Sequence, residues 1–85
     1  MKKDEWDVYI IRTESGKLYT GICKDLERRF SEHQSGQKGA RFFHFSAPKA
    51  VVYQEKHSNR SSASKREAEI KKMKRSQKLE LISKI

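Results

Sequence analysis

Two short runs of β-branched and aromatic residues near the start of the chain predict a β-hairpin. The first run is Trp6–Arg12 and the second is Lys17–Cys23, with a polar turn between them. Runs of this kind, separated by a Gly-containing turn, are typical of paired strands. The pairing places Tyr9 and Tyr19 on neighbouring strands, where the two rings can share one face of the sheet.

The hairpin contains residues that packing alone does not require. A buried tyrosine hydroxyl needs water or a hydrogen-bond partner. Gly21 has no side chain to pack, and a glycine within a strand often marks the close approach of a ligand or of another backbone. Taken alone, these residues are better explained as a plain hairpin with two half-buried tyrosines, and the residues that follow change that balance.

The hydrophobic period then predicts a helix that begins at Leu26. Asp25 is a good N-cap, and Leu26 and Phe30 define a buried stripe at i, i+4. Arg29 and His33 have the same spacing and project together. Arg28 lies about 140° away from His33 around the helix and faces elsewhere. Taken alone, the pair is better explained as an exposed helix face with an incidental histidine.

The stretch from Ser35 to Pro48 has no helical period. It contains Gly36, a plausible helix stop, and Arg41 followed by the aromatic run Phe42–Phe45. Basic residues interleaved with aromatic ones suit backbone contact and base stacking. They suit equally a loop that folds its own phenylalanines into a small core.

The second half of the chain predicts one more strand and two helices. The strand is Lys49–Glu55, and Ser58–Ser62 is a polar connector. The helical period returns at Ala63, with Ile70 among its apolar members. Ser76 is the predicted N-cap of a last short helix.

Glu67 is out of place on the first of these helices, because it lies beside the apolar stripe in a strongly basic segment. Two structural explanations exist. Ser64 and Glu67 could form a capping box, or Glu67 could pair with Lys71 one turn further on.

Composition adds a strong charge asymmetry. Of 85 residues, 34% are hydrophobic and 36% charged, which indicates one domain with a small core. The net charge is +9, and residues 56–78 hold nine basic and two acidic side chains, whereas residues 1–23 are neutral. A basic half of this kind indicates a face turned toward a polyanion, with solubilising surface charge as the alternative.

Several classes of protein are not expected. Cys23 is the single cysteine, so no internal disulfide can form and a reducing cytoplasm is the expected compartment. No apolar run has membrane-spanning length, and the amino end lacks the apolar stretch of a signal peptide. Phosphate loops, zinc-spaced cysteines and Gly-x-Ser-x-Gly are all absent. Any metal would be a hard cation on carboxylate oxygen, held mostly by water and phosphate.

In chain order, a set of motif residues resembles the GIY-YIG endonuclease module. The set comprises Tyr9, Tyr19-Thr20-Gly21, Arg29, His33 and Glu67. The resemblance runs from about Val8 to Ile82 and is closest to the short, stand-alone, YhbQ-like bacterial branch. The first motif, Val8-Tyr9-Ile10, lacks its usual glycine, and Phe42–Phe45 replaces a more polar stretch.

The resemblance implies a metal-dependent DNA endonuclease acting in DNA repair. The implied catalytic residues are Tyr9, Tyr19, Gly21, Arg29 and His33. Glu67 would hold one Mg²⁺ or Mn²⁺, Arg29 would bind phosphate oxygens, and a tyrosine or His33 would be the general base. The expected fold is α+β in the order β-β-α-β-α-α, a three-stranded antiparallel sheet flanked by helices, as one domain over residues 1–85.

The expected partner is DNA, with RNA as the alternative, and no membrane. DNA structure or a protein partner would supply specificity. The basic residues expected to contact the nucleic acid are Lys24, Arg28, Arg41, Lys65, Arg66, Lys71 and Lys72. The alternative function is a non-catalytic, basic nucleic-acid-binding module. It is disfavoured because simple phosphate binding needs neither Glu67 nor paired tyrosines.

Overall fold

A computed structural model describes residues 5–35 and 47–84 of the chain, excepting the side chains of residues 33–35. The elements are β1 (Trp6–Thr13), β2 (Leu18–Cys23), α1 (Leu26–Ser35), β3 (Pro48–His57), α2 (Arg60–Lys71) and α3 (Arg75–Ser83). The three strands form one antiparallel sheet in the order β2-β1-β3. The predicted α+β fold and its order of elements are therefore confirmed. Gly36, Arg41 and Phe42–Phe45 lie outside the described residues.

The hairpin turn depends on Gly16. Its φ of 91° lies in the left-handed region, which glycine adopts without steric cost. The Gly16 N–H donates to the Thr13 carbonyl oxygen at 3.0 Å, and the Lys17 N–H donates to Thr13 Oγ1 at 3.0 Å. The turn thereby sets a register in which Tyr9 lies opposite Gly21.

One face of the sheet packs against α2 and α3. Val8 and Ile10 of β1 are fully buried there against Ala63 and Ile70 of α2. The half-buried residues that complete this cluster are Trp6, Leu18, Ile22, Val52, Tyr53, Met73, Leu81 and Ile82. Since successive side chains of a strand alternate between faces, the other residues of β1 serve the opposite side.

The opposite face packs against α1. Tyr9, Ile11 and Cys23 are buried on this side, and Leu26 and Phe30 of α1 pack against them. The stripe predicted for this helix is thereby confirmed. The central strand thus joins two small clusters, and Tyr9 belongs to the one that α1 covers.

The starts of α1 and α3 show one correct prediction and one wrong one. Asp25 caps α1 as predicted, because its Oδ1 accepts the Arg28 N–H at 3.2 Å. Ser76 does not cap α3, because it lies inside that helix. The N-cap is Lys74, whose backbone N–H donates to the Gln77 side chain at 2.9 Å.

The start of α2 also differs from the prediction. The helix begins at Arg60, because Asn59 Oδ1 accepts the Ser62 N–H at 2.8 Å. Ser64 therefore lies within the helix, and the capping box proposed for Ser64 and Glu67 is wrong. The connector predicted between strand and helix is much shorter than expected.

The third strand is longer than predicted at both ends. It covers Pro48–His57 in place of Lys49–Glu55, because its pairing with β1 continues as far as His57 opposite Trp6. Within the two described ranges, no helix has both the length and the apolar character needed to cross a membrane.

Candidate active site

Tyr9 lies at the centre of the candidate site, on the central strand. It is 2% exposed, and its ring extends over Gly21 of β2. A Cβ placed on Gly21 would lie 2.6 Å from the Tyr9 hydroxyl oxygen and 2.8 Å from its Cζ. Both distances are shorter than real Cβ contacts. The glycine therefore leaves room for a side chain of the same protein, where the sequence suggested a ligand or a backbone.

Tyr19 lies beside this pair on the same face of the sheet. The ring centroids of Tyr9 and Tyr19 are 6.3 Å apart and the planes are tilted by 44°. This separation lies within the range of favourable aromatic pairs. The Cβ placed on Gly21 would also lie 3.2 Å from Tyr19 Cε2, so both rings border the glycine. The expectation that the two tyrosines share a face is confirmed.

Charges from two helices act on the Tyr9 hydroxyl. Burial raises the pKa of Tyr9 well above its ordinary value, and negative charge on Tyr19, Cys23 and Glu67 raises it further. The positive charge of Arg29 lowers it. Because burial outweighs Arg29, Tyr9 is a protonated phenol at neutral pH. Arg29 therefore favours the phenolate form of Tyr9, but by less than burial disfavours it.

Arg29 and Arg28 occupy different positions on α1. The Arg29 side chain is 41% exposed and its Nη1 lies 3.7 Å from Glu32 Oε1. The Arg28 side chain is 71% exposed and its Nε lies 3.3 Å from Glu32 Oε2. Arg29 is thus the arginine that is partly covered and acts on Tyr9, as predicted. His33 follows one turn later, but its side chain lies outside the described residues.

Glu67 lies on α2, between Ala63 and Ile70 in the row that faces the sheet. Its side chain is 23% exposed, and Oε2 lies 3.2 Å from Lys71 Nζ, which confirms the predicted pairing. The same carboxylate raises the pKa of Tyr9, so it acts on the tyrosine site as well.

The donor set at Glu67 fits a hard divalent cation. Mg²⁺ is commonly held by one or two carboxylates, with water and substrate phosphate supplying the other oxygens. Among the side chains that the structure describes, which exclude His33, no three of His, Cys, Asp or Glu form a group that could hold a metal. A partly exposed single carboxylate, with water and phosphate completing the ligand set, is therefore the arrangement to be tested.

The predicted nucleic-acid-binding residues differ in the groups that their charged ends contact. The three that pair with carboxylates are Arg28, Arg66 and Lys71. Lys65 and Lys72 are exposed, while Lys24 Nζ lies 5.6 Å from the centroid of the Trp6 ring. Arg41 is not among the described residues.

A polar cluster between β3 and α2 was not predicted. Tyr53 donates its hydroxyl hydrogen to Glu55 Oε2 at 2.6 Å, and His57 Nε2 lies 2.7 Å from Glu55 Oε1. Arg66 Nε donates to both oxygens, at 3.1 and 3.2 Å. His57 Nδ1 is 2.6 Å from Ser62 Oγ. The alternation of polar residues along one strand was the available signal, and the cluster fixes the helix that carries the candidate metal ligand.

Comparison with known proteins agrees with this geometry. The chain matches the GIY-YIG catalytic domain over residues 5–80. A UPF0213 protein of Staphylococcus saprophyticus is 45% identical over 80 residues, which cover 94% of this chain and 96% of that relative. A UPF0213 protein of Pseudomonas aeruginosa is 52% identical over 66 residues, which cover 78% of this chain and 62% of that relative.

Two solution NMR structures share the fold. The protein EF2693 of E. faecalis has a TM-score of 0.66 at 32% identity, covering 98% of this chain and 88% of that chain. A UPF0213 protein of Bacillus halodurans has a TM-score of 0.60 at 32% identity, covering 93% and 83%. With its motif residues on the expected elements, the chain belongs to the GIY-YIG family.

Proposed function

We propose that this protein is a metal-dependent endonuclease that hydrolyses phosphodiester bonds in DNA. The observation that carries the proposal is the pair of Tyr9 and Tyr19 bordering Gly21, with ring centroids 6.3 Å apart, together with the charges of Arg29 on α1 and Glu67 on α2 that act on Tyr9. Phosphodiester hydrolysis needs an activated water and charge stabilisation at the phosphate. A non-catalytic binding module needs no carboxylate beside a buried phenol, since a carboxylate repels phosphate.

The site residues have two kinds of proposed role: some bind the phosphate or the cation, and others position the binding groups. Arg29 is partly exposed, so its planar guanidinium can donate two hydrogen bonds to phosphate oxygens. Glu67 would hold one Mg²⁺ or Mn²⁺, and the cation would supply charge stabilisation at a non-bridging phosphate oxygen. Gly21 keeps the space that the Tyr9 ring occupies.

The raised pKa of Tyr9 limits when this residue can act as a base. A protonated phenol donates a hydrogen bond but cannot take a proton from water. Burial is the largest cause of the raised pKa and the charge of Glu67 is the smallest, so offsetting Glu67 alone leaves Tyr9 protonated. Tyr9, Tyr19 and His33 are the proposed candidates for the general base, and Tyr9 would need a bound cation close to its hydroxyl to ionise. Specificity is proposed to come from DNA structure or from a protein partner.

The deciding experiment replaces Glu67 by Gln and measures cleavage of labelled DNA and RNA structures with Mg²⁺ or Mn²⁺. Loss of a metal's charge stabilisation raises the barrier by several kcal/mol, and each ~1.4 kcal/mol is a factor of ten in rate. We expect cleavage to fall at least about a hundredfold. Glu69→Gln is the matched control, because Glu69 is on the same helix but mostly exposed and paired with Arg66.

A second measurement reads the same site without cleavage. In metal-free protein, Glu67→Gln should lower the pKa of Tyr9, since a charge that raises it is removed. NMR of ¹³C-labelled tyrosine checks this, and Glu69→Gln should leave the signal unchanged. A folded Glu67→Gln protein that cuts as fast as its parent would refute the assignment of the metal ligand. Parent protein that binds DNA and cuts none of the structures would support the non-catalytic module.

A further inference from the structure

Several of the described cations are neutralised by a nearby carboxylate. Among them are Arg28, Arg29, Lys56, Arg66 and Lys71, each with an N–O distance of at most 3.7 Å to a carboxylate. Such pairs lower the positive potential that an approaching polyanion meets. Part of the surface expected to bind nucleic acid is therefore less positive than its sequence indicates.

A second group of cations lies on α3 and on the hairpin turn that faces it. The group comprises Lys17, Lys74, Arg75 and Lys78, and we call these four residues the α3 ridge. No carboxylate of the described residues forms an ion pair with any of them. The ridge therefore keeps its full positive charge.

The ridge is one surface although its residues are far apart in sequence. Arg75 Nη2 donates to the Gly16 carbonyl oxygen at 2.9 Å, across 59 sequence positions. A shallow cavity of about 250 Å³ beside this bond is lined by Lys17, Leu18, Arg75 and Lys78. The hydrogen bond thus holds the turn against α3 and brings the lysines of both elements together.

The ridge also continues from the candidate active site. Lys71, the partner of Glu67, is the last residue of α2, and α3 begins at Arg75. Exposed Lys72 and Lys74 occupy the short connection between the two helices. Basic residues therefore continue along the chain from Lys71, the partner of Glu67, to the ridge.

We propose that the α3 ridge binds the phosphate backbone of the DNA outside the cleavage site. This inference rests on the proposed function, since it assigns the path of that substrate. A duplex carries closely spaced phosphates, which match a row of unpaired cations. An anionic membrane is the weaker alternative, because Leu81 and Ile82 of α3 pack into the core, which leaves Leu79 as the one exposed large apolar side chain of this helix.

The test compares two double variants that lose the same charge. Lys74→Gln/Lys78→Gln removes two ridge cations and leaves Arg75 bonded to the turn. Lys49→Gln/Lys56→Gln, on β3, is the control of equal formal charge, and its Lys56 is already paired with Asp7 Oδ1 at 3.4 Å. Binding of a short labelled DNA duplex is measured in EDTA over a range of NaCl, and folding is checked by circular dichroism.

We expect the ridge variant to lower the slope of log affinity against log salt by about 2, one unit for each lost phosphate contact. The control should change it much less. Equal changes in both variants, or none in the ridge variant, would overturn the proposal. So would parent protein that binds anionic phospholipid vesicles through these lysines and does not bind the duplex.

The nuclease assignment can fail separately. Glu67→Gln should not lower the salt slope, because every ridge residue is kept and the change only frees Lys71 from its carboxylate partner. If the parent cuts no substrate while the ridge variant still loses slope, the ridge is supported as a binding surface and the catalytic assignment is what fails.

Discussion

At the scale of single residues, the packing of the Tyr9 ring depends on the absence of a side chain at Gly21. A glycine inside a strand costs stability, because it loses more backbone entropy than other residues and packs no side chain. Here the absent Cβ is the condition for a buried tyrosine ring on the neighbouring strand. The side chain allowed at position 21 is thus set by β1.

Gly21→Ala is therefore expected to lower the free energy of unfolding by about 1–3 kcal/mol, the usual effect of overpacking. The new Cβ would lie 2.8 Å from Tyr9 Cζ, and a ring that is 2% exposed has little room to move. Tyr9→Leu removes the crowded atoms, so the double variant should be more stable than the two single effects predict. Urea denaturation of all four proteins gives the coupling. Strict additivity would contradict the pairing.

The residue types of the site could be predicted from sequence, but their electrostatics could not. Tyr9, Tyr19 and Gly21 follow from the strand pattern and the motif, and the structure places them together. The raised pKa of Tyr9 depends on burial and on the balance of Arg29 against several negative groups. That balance is a property of distances in three dimensions, which no sequence spacing contains.

Helix boundaries illustrate the same limit at the scale of elements. Asn59, Ser62 and Ser64 are all good N-cap residues, so local preference alone does not choose among them. Asn59 is the cap that the structure uses, and the longer β3 brings His57 next to Ser62. The start of α2, which the sequence analysis placed too late, is thus accompanied by a contact between His57 of β3 and Ser62 of α2.

Glu55 should make a pH-dependent contribution to stability. Burial raises its pKa, but hydrogen bonds from Tyr53 and His57 and the charge of Arg66 outweigh burial, so the pKa lies below its ordinary value. The folded state therefore favours the carboxylate. The resulting stabilisation is present above the ordinary glutamate pKa of about 4.3 and is lost as the pH falls through the folded value.

Glu55→Gln is accordingly expected to destabilise the protein by about 1–3 kcal/mol at neutral pH, because charged hydrogen bonds are lost. The difference from the parent should shrink in acid, where the parent carboxylate is protonated as well. Denaturation at neutral and acid pH measures both effects. Glu69→Gln is the control, because Glu69 also pairs with Arg66 but is mostly exposed. It should change stability by less than about 0.5 kcal/mol. A loss that persists undiminished in acid would contradict this account.

At the scale of the whole molecule, α3 completes the core that β1 and α2 begin. Leu81 and Ile82 pack against the buried cluster of Val8, Ile10 and Ile70. A small domain has a total stability of only about 5–15 kcal/mol, so each such contact is a sizeable share. The sequence predicted a short last helix, but it predicted neither this contact nor the bond from Arg75 to the turn, because nothing in the sequence relates the distant segments.

Ile82→Ala should therefore destabilise the protein by about 1–3 kcal/mol, below the full range for a completely buried residue because Ile82 is half-buried. Leu79 lies on the same helix but is 45% exposed, so Leu79→Ala is the matched control and should change stability by about 0.5 kcal/mol or less. Thermal and urea unfolding compare the two. Equal losses would show that α3 does not pack as described.

The hydrogen bond between Arg75 and Gly16 has a consequence for protein synthesis, because it joins residues that are 59 positions apart. The ribosome delivers the hairpin turn early and delivers α3 after every element against which it packs. Until then, the nascent hairpin carries Lys17 without the three other cations of the ridge. If the α3 ridge binds nucleic acid as proposed, that surface does not yet exist while the growing chain passes the ribosomal RNA. The ridge can bind a polyanion only after α3 has been made and has packed against the sheet.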